Sequence, residues 1–166
     1  MQRAEVIDLG VEWDGGAPLP HLLTNGLTTI LMCHAPDVPA DWDGTTVRVV
    51  SPSDEAVSPL LQFTFSGCWS VRLGFPNDET LNGHPLWERG LGFYQAHIVH
   101  NSLWRAEVDA VNSVHSQYAG PNEKIHYLFT FHDETFEALA DSVDVVAFEG
   151  TLSSALLDAA RAVTVG

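Results

Sequence analysis

Positive charge is the scarcest feature of this sequence. Lysine occurs once in 166 residues, at Lys124, and Lys and Arg together number 7 against 22 Asp and Glu, a formal net charge of −15. Nucleic-acid affinity comes largely from Lys and Arg on phosphates, so no nucleic-acid partner is expected. An anionic membrane surface is disfavoured for the same reason. The acidity serves solubility first, and it also suits the steering of a cationic ligand or a basic protein. Cysteine, with two residues, is nearly as rare as lysine. Cys33 and Cys68 follow no metal or redox spacing, and the expectation is two buried thiols in a reducing cytoplasm. No apolar run approaches membrane-spanning length. The opening residues carry no basic segment followed by an apolar one, so no signal peptide is expected. A Gly-x-Ser-x-Gly elbow, a phosphate-binding Gly-rich loop ending in Lys-Ser/Thr and a dinucleotide fingerprint are all missing. Nucleophilic catalysis and ATP, GTP or NAD chemistry therefore have little support, and no cofactor is expected.

What is present is alternation. The length suits one domain, residues 1–166, large enough to bury a core without staples. Glu5 to Trp13 alternates with Ile7, Leu9, Val11 and Trp13 on one side and reads as a strand. Pro18 and Pro20 predict an extended loop, Leu27 to Cys33 a central strand, His34 to Gly44 an exposed loop, and Thr45 to Val50 a short β-branched strand. Leu61, Phe63 and Phe65 alternate, Gly67 turns the chain, and Trp69, Val71, Leu73 and Phe75 return, the pattern of a hairpin. A further strand runs from Phe93 to His100. The period then becomes helical: Trp104, Val108, Val111 and His115 form one stripe of a helix over about 102–117, with Asn101 or Ser102 as N-cap. A second helix is expected over 151–163, capped by Thr151, with Leu152, Leu156, Ala159 and Val163 on one face. Roughly nine strands and two helices predict an α+β, strand-rich fold: a curved, mainly antiparallel or barrel-like sheet with the helices on one face or end.

The stretch from Ile125 to Glu137 concentrates the chemistry. With Phe131 opposite Phe136 across a four-residue turn, one face is apolar. The other face sets His126 opposite Asp141, Leu128 opposite Leu139 and Thr130 opposite Glu137, with His132 and Thr135 at the tip. A carboxylate beside a histidine orients the ring and raises its basicity, which suits general-base chemistry. Such a face is equally at home in water, where these residues would do nothing. Leu128 and Leu139 in its middle argue for partial cover. The loop from Gly74 to Leu86 is the second candidate, with Asn77, Asp78, Glu79 and His84 able to contact a polar ligand. Asx-turns or caps at Asn77 and Asp78 are its plainer reading. Trp69, Trp87, Trp104, Phe93, Tyr94, Phe129 and Phe131 either line an apolar pocket or build the core. No metal site is expected. His97 and His100 point to opposite faces of a strand, and His126 and His132 lie about 20 Å apart along one. The combination left open is His132 and Glu137 with a distant residue such as His84.

The strings Phe75-Pro76-Asn77-Asp78-Glu79, Gly83-His84-Pro85-Leu86, Asn101-Ser102-Leu103-Trp104 and Phe129 to Glu137 resemble those of a family of small bacterial proteins without established activity. The resemblance runs from about Gly67 to Glu149. It implies a bacterial, cytoplasmic protein in which both polar stretches are family features, and it carries no catalytic role. The functional expectation is a small-molecule ligand in an aromatic-lined pocket, with His132 as proton acceptor, Glu137 as its orienting carboxylate, Thr130 beside them, and Asn77, Asp78, His84 and Trp104 as ligand contacts. The alternative is a non-enzymatic acidic protein, of immunity or regulatory type, that engages a basic protein partner. One exposed patch of Asp37, Asp41, Asp43, Asp78 and Glu79 would favour that alternative.

Overall fold

The computed structural model describes residues 1–38, 42–43, 45, 50–120 and 123–165. Nine strands and two main helices occur among them. The strands divide between two antiparallel sheets, neither closed into a barrel. The first has the order β1 (Arg3–Val6), β6 (Ala96–His100), β7 (Ile125–Thr130), β8 (Thr135–Ala140), β5 (Ser70–Gly74). The second has the order β2 (His21–Thr24), β3 (Thr28–His34), β4 (Ser58–Ser66), β9 (Ser142–Gly150). The strand-rich α+β class thus holds, with two stacked sheets where one curved sheet was expected. The strand expected over Thr45 to Val50 falls mostly outside the described residues.

Alternation explains the stacking. Leu31, Cys33, Leu61, Phe63 and Phe65 point from one sheet, and Tyr127, Phe129, Phe136, Ala138 and Ala140 from the other, into a shared interior. Trp13 closes it, stacked on Phe129 at 5.5 Å and edge-on to Phe63 at 5.9 Å. Its Nε1–H donates to the Thr130 carbonyl at 3.1 Å, which satisfies the one polar group of the ring. Each such aromatic removed from water contributes about 1.5–3 kcal/mol. Cys33 and Cys68 are both buried free thiols.

Each sheet also has an outer cover. Helix α2 (Leu152–Val165) lays Leu152, Ala159 and Val163 on Ile30, Met32 and Leu60 of the second sheet. On the first sheet, Leu81, Leu86 and Leu91 pack over Ala4, Val99 and Leu128. Those three leucines belong to the segment 78–91, which carries 3-10 turns at Asp78–Gly83 and Trp87–Arg89. Helix α1 (Leu103–Asn112) adds Trp104 to the same face.

Several expectations are corrected. β4 and β5 do not form a hairpin: β4 pairs with β3 and β9, β5 with β8, so the turn at Gly67 carries the chain from one sheet to the other. Both strands are apolar toward the common interior, and alternation cannot tell pairing from facing. The ladder of β1 ends at Val6, because the chain turns at Asp8, whose Oδ1 accepts from the Gly10 N–H at 2.7 Å. Ile7, Leu9, Val11 and Trp13 nevertheless pack inward as their spacing predicts. β2 begins directly after the expected Pro18–Pro20 loop, in a stretch for which no strand was expected. Helix α1 stops at Asn112, and Val111 and His115 of its expected stripe are exposed. The β7–β8 hairpin has Phe129 opposite Phe136, Leu128 opposite Glu137, His126 opposite Leu139 and Thr130 opposite Thr135. The register is displaced by two residues because Phe131 turns into the core against Trp13, 5.0 Å away, and its N–H closes the turn on the Glu134 carbonyl. A two-residue slip leaves every side chain on its expected face and changes only its partners.

Candidate functional site

Two polar clusters lie on the outward face of β7 and β8, under the cover of the 78–91 segment and α1. His132 and Glu137 fall in different ones, so the expected His132–Glu137 pair is not formed.

The first cluster is at the hairpin tip. His132 Nδ1 lies 2.8 Å from Asp78 Oδ2, so the ring N–H donates to the carboxylate. The Asp78 N–H donates to the His132 carbonyl at 3.0 Å, which fixes the two segments against each other. The Tyr94 hydroxyl donates to the same Oδ2 and stands 3.5 Å from His132 Nδ1. Asp78 Oδ1 is buried with no hydrogen-bond partner among the described residues. The His132 side chain is 42% exposed, and its Nε2 makes no hydrogen bond among the described residues. Tyr94 sits in the left-handed region at φ 53°, a conformation unfavourable for a bulky residue. It continues an aromatic run in which Trp87 meets Phe93 at 5.1 Å and Phe93 meets Tyr94 at 6.2 Å.

The electrostatics follow from these bonds. The hydrogen bond to Asp78 raises the His132 pKa against the opposing effect of burial, and the charges of Asp78, Asp133 and Glu79 push the same way. The Tyr94 hydrogen bond, with that of His132, holds the Asp78 carboxyl below its usual range. Tyr94 in turn is pushed up to about 12, first by its bond to Asp78. Burial, with the charge of Asp133, raises Glu134.

The second cluster is buried. His126 Nε2 is 2.8 Å from Glu137 Oε2, and His126 Nδ1 is 2.7 Å from the hydroxyl of Ser102. Arg72 lies 3.7 Å from Glu137 Oε1, with its guanidinium over the Trp104 ring at 4.0 Å. Trp104 presents its edge to His126 at 5.1 Å. Burial pushes the Glu137 carboxyl up, but the His126 hydrogen bond and the charges of His126, Arg72 and His84 outweigh it and hold the group low. His84 belongs here. It is half-buried, its Nδ1 accepts from the Leu86 N–H at 3.2 Å, and burial lowers its pKa against the pull of Glu137.

The remaining candidates are more modest. Asn77 Oδ1 accepts from the Thr80 hydroxyl at 2.7 Å, a local loop bond. Thr130 is buried away from Glu137, with its hydroxyl donating to the Gly92 carbonyl at 2.9 Å and accepting from the Gln95 N–H at 3.1 Å. Asp141 pairs with Lys124 at 2.6 Å rather than with His126. Phe129 and Phe131 are core, and Trp104 is a buried wall of the second cluster. Among the described residues, no group of three or more His, Cys, Asp or Glu is placed to hold a metal ion. No helix there is long and apolar enough to cross a membrane. Sequence reasoning named Tyr94 only as a pocket or core aromatic and missed its bond to Asp78, and it missed Arg72 and the relay from Ser102 to Glu137. Ser102 carried a signal as N-cap and His126 as a face-mate of Glu137, but nothing in their spacing joins the two.

Comparison of the chain with protein-family models, with curated proteins and with solved structures finds no match.

Proposed function

We propose that the protein binds a small molecule at the Asp78–His132–Tyr94 cluster and uses His132 as its acid–base group, working in the cytoplasm. The observation that carries this is the 2.8 Å bond from His132 Nδ1 to Asp78, made by a ring whose Nε2 is left to solvent. A carboxylate on one nitrogen sets the tautomer, so the neutral ring presents a proton-accepting Nε2 outward. The Asp78 Oδ1 without a partner among the described residues and the left-handed Tyr94 put two broken local rules at one place, and functional sites gather at such places. Phe93 and Tyr94, both partly exposed, offer a ligand flat apolar surface beside the imidazole. The two free thiols suit a reducing compartment. A second reading, an acidic surface that engages a basic protein, draws on the net charge of −15 and needs no chemistry from His132.

The test is a proton-NMR titration of His132 in the wild type and in Asp78→Asn. The expected wild-type midpoint lies above the ordinary histidine value of about 6.5, falling toward it in the variant. A midpoint that is ordinary, or indifferent to Asp78, sinks the dyad. The linkage has a definite sign. Because the folded value is raised, the pair stabilises the fold below the unfolded histidine pKa. That contribution disappears as pH rises through the folded value. Base catalysis has the opposite profile, growing as His132 loses its proton.

A further inference from the structure

The buried cluster has the connectivity of a nucleophilic relay. Ser102 stands where β6 passes into α1, directly after Asn101 at φ 52°. Its Oγ accepts the Arg105 N–H at 3.0 Å, which caps the helix, and faces His126 Nδ1 at 2.7 Å. With the His126 Nε2–H given to Glu137, Nδ1 is the acceptor and the serine hydroxyl is its donor. Each polar group then has its partner, and the order is hydroxyl, imidazole, carboxylate. Capping alone does not ask for this. The cap of α2 shows the simpler form: the Thr151 hydroxyl accepts the Ser154 N–H at 3.2 Å, with an exposed Ser153 beside it and no histidine behind. At Ser102 a buried histidine and a largely buried carboxylate stand behind the hydroxyl as well, an arrangement that capping does not require.

We infer that Ser102 is a nucleophile toward a small acyl ester, with His126 as its general base and Glu137 as the residue that orients and charges-balances the ring. In the first step the Ser102 oxygen forms a bond to the ester carbonyl carbon and its proton passes to His126 Nδ1. The alcohol then leaves as the carbonyl re-forms, taking that proton. In the second step water attacks the acyl-serine, His126 accepts its proton and returns it to Ser102, and the acid is released. Ester and water are consumed, and acid and alcohol are formed. Ser102 is 3% exposed, so the electrophile must be small.

The probe is methanesulfonyl fluoride, which transfers its sulfonyl group to an activated serine and releases fluoride and a proton. The expected result is one adduct, mapped to Ser102 by peptide mass spectrometry. Its rate should rise with pH as a single group deprotonates and drop at least tenfold in Glu137→Gln. Near-UV circular dichroism establishes that the variant is folded. If it is not, the wild-type pH profile decides alone. A folded wild type left unmodified at Ser102, a rate no faster than that of exposed serines, a flat pH profile, or an equal rate in folded Glu137→Gln overturns the inference and leaves Ser102 a helix cap. His132 takes no part in this reaction, so its titration and this labelling fail separately.

Discussion

Asp78 accepts from His132 and Tyr94 through one oxygen and leaves the other buried without a donor among the described residues. Its backbone is bound to the His132 carbonyl as well, so the pairing is held by main chain and side chain together. That arrangement was half legible in the sequence. His132 and the 77–84 loop both stood out as polar stretches, but their partnership depends on a fold that brings the loop across the hairpin tip. No spacing along the chain encodes that crossing. The core is different, because burial there follows directly from residue type and period. Phe129 touches the rings of Trp13, Phe63, Phe65 and Phe136, with centroids 5.3–5.9 Å away. Phe129→Ala is therefore expected to lose about 3–5 kcal/mol by chemical denaturation, the range for emptying a large aromatic site. A loss below about 1.5 kcal/mol, the scale of a volume-conserving swap, would mean the two sheets are less tightly joined than described.

At the scale of elements, alternation located most strands but paired them unevenly, right for β7 with β8 and wrong for β4 with β5. β4 and β5 look like a hairpin because each alternates and a glycine lies between, yet the chain changes sheets there. Gly67 permits the change: it has φ +59°, and a Cβ at that position would stand 2.0 Å from Asp141 Oδ2. The β7–β8 hairpin was legible as a hairpin and misread by two residues, because a phenylalanine in a turn was assigned to a strand. The segment leading into β6 depends on Thr130. Its hydroxyl bonds the backbone of Gly92 and Gln95, which flank Phe93 and Tyr94. Thr130→Val removes both bonds at nearly constant volume and is expected to cost about 1–3 kcal/mol, the range for leaving buried polar groups unpaired. Tyr94 should also move away from Asp78, so the His132 titration midpoint should fall in this variant, and Thr130→Ser should restore it. A midpoint unchanged by Thr130→Val would separate the loop anchor from the site.

The whole molecule is governed by charge and by chain order. A formal net charge of −15 repels itself, and long-range repulsion weakens as counter-ions screen it. The melting temperature should rise between about 0.01 M and about 1 M sodium chloride, over which the Debye length shrinks from about 30 Å to about 3 Å. A melting temperature that falls would put the weight instead on exposed ion pairs such as Arg3–Glu5 and Arg161–Asp158. Chain order has a separate consequence. Ser58 pairs with Gly150 and Arg3 with His100, so both sheets join distant parts of the chain. During synthesis β3 and β4 emerge early and wait for β9 to complete their sheet. Ile30, Met32 and Leu60 wait for α2 to shield them. A chain arrested after Asp141 would hold every residue of the hairpin and both polar clusters, yet it would present an open strand edge and a bare apolar face to its neighbours. The last strand and helix, which contribute nothing to either cluster, thus decide whether a newly made chain stays apart from others or aggregates.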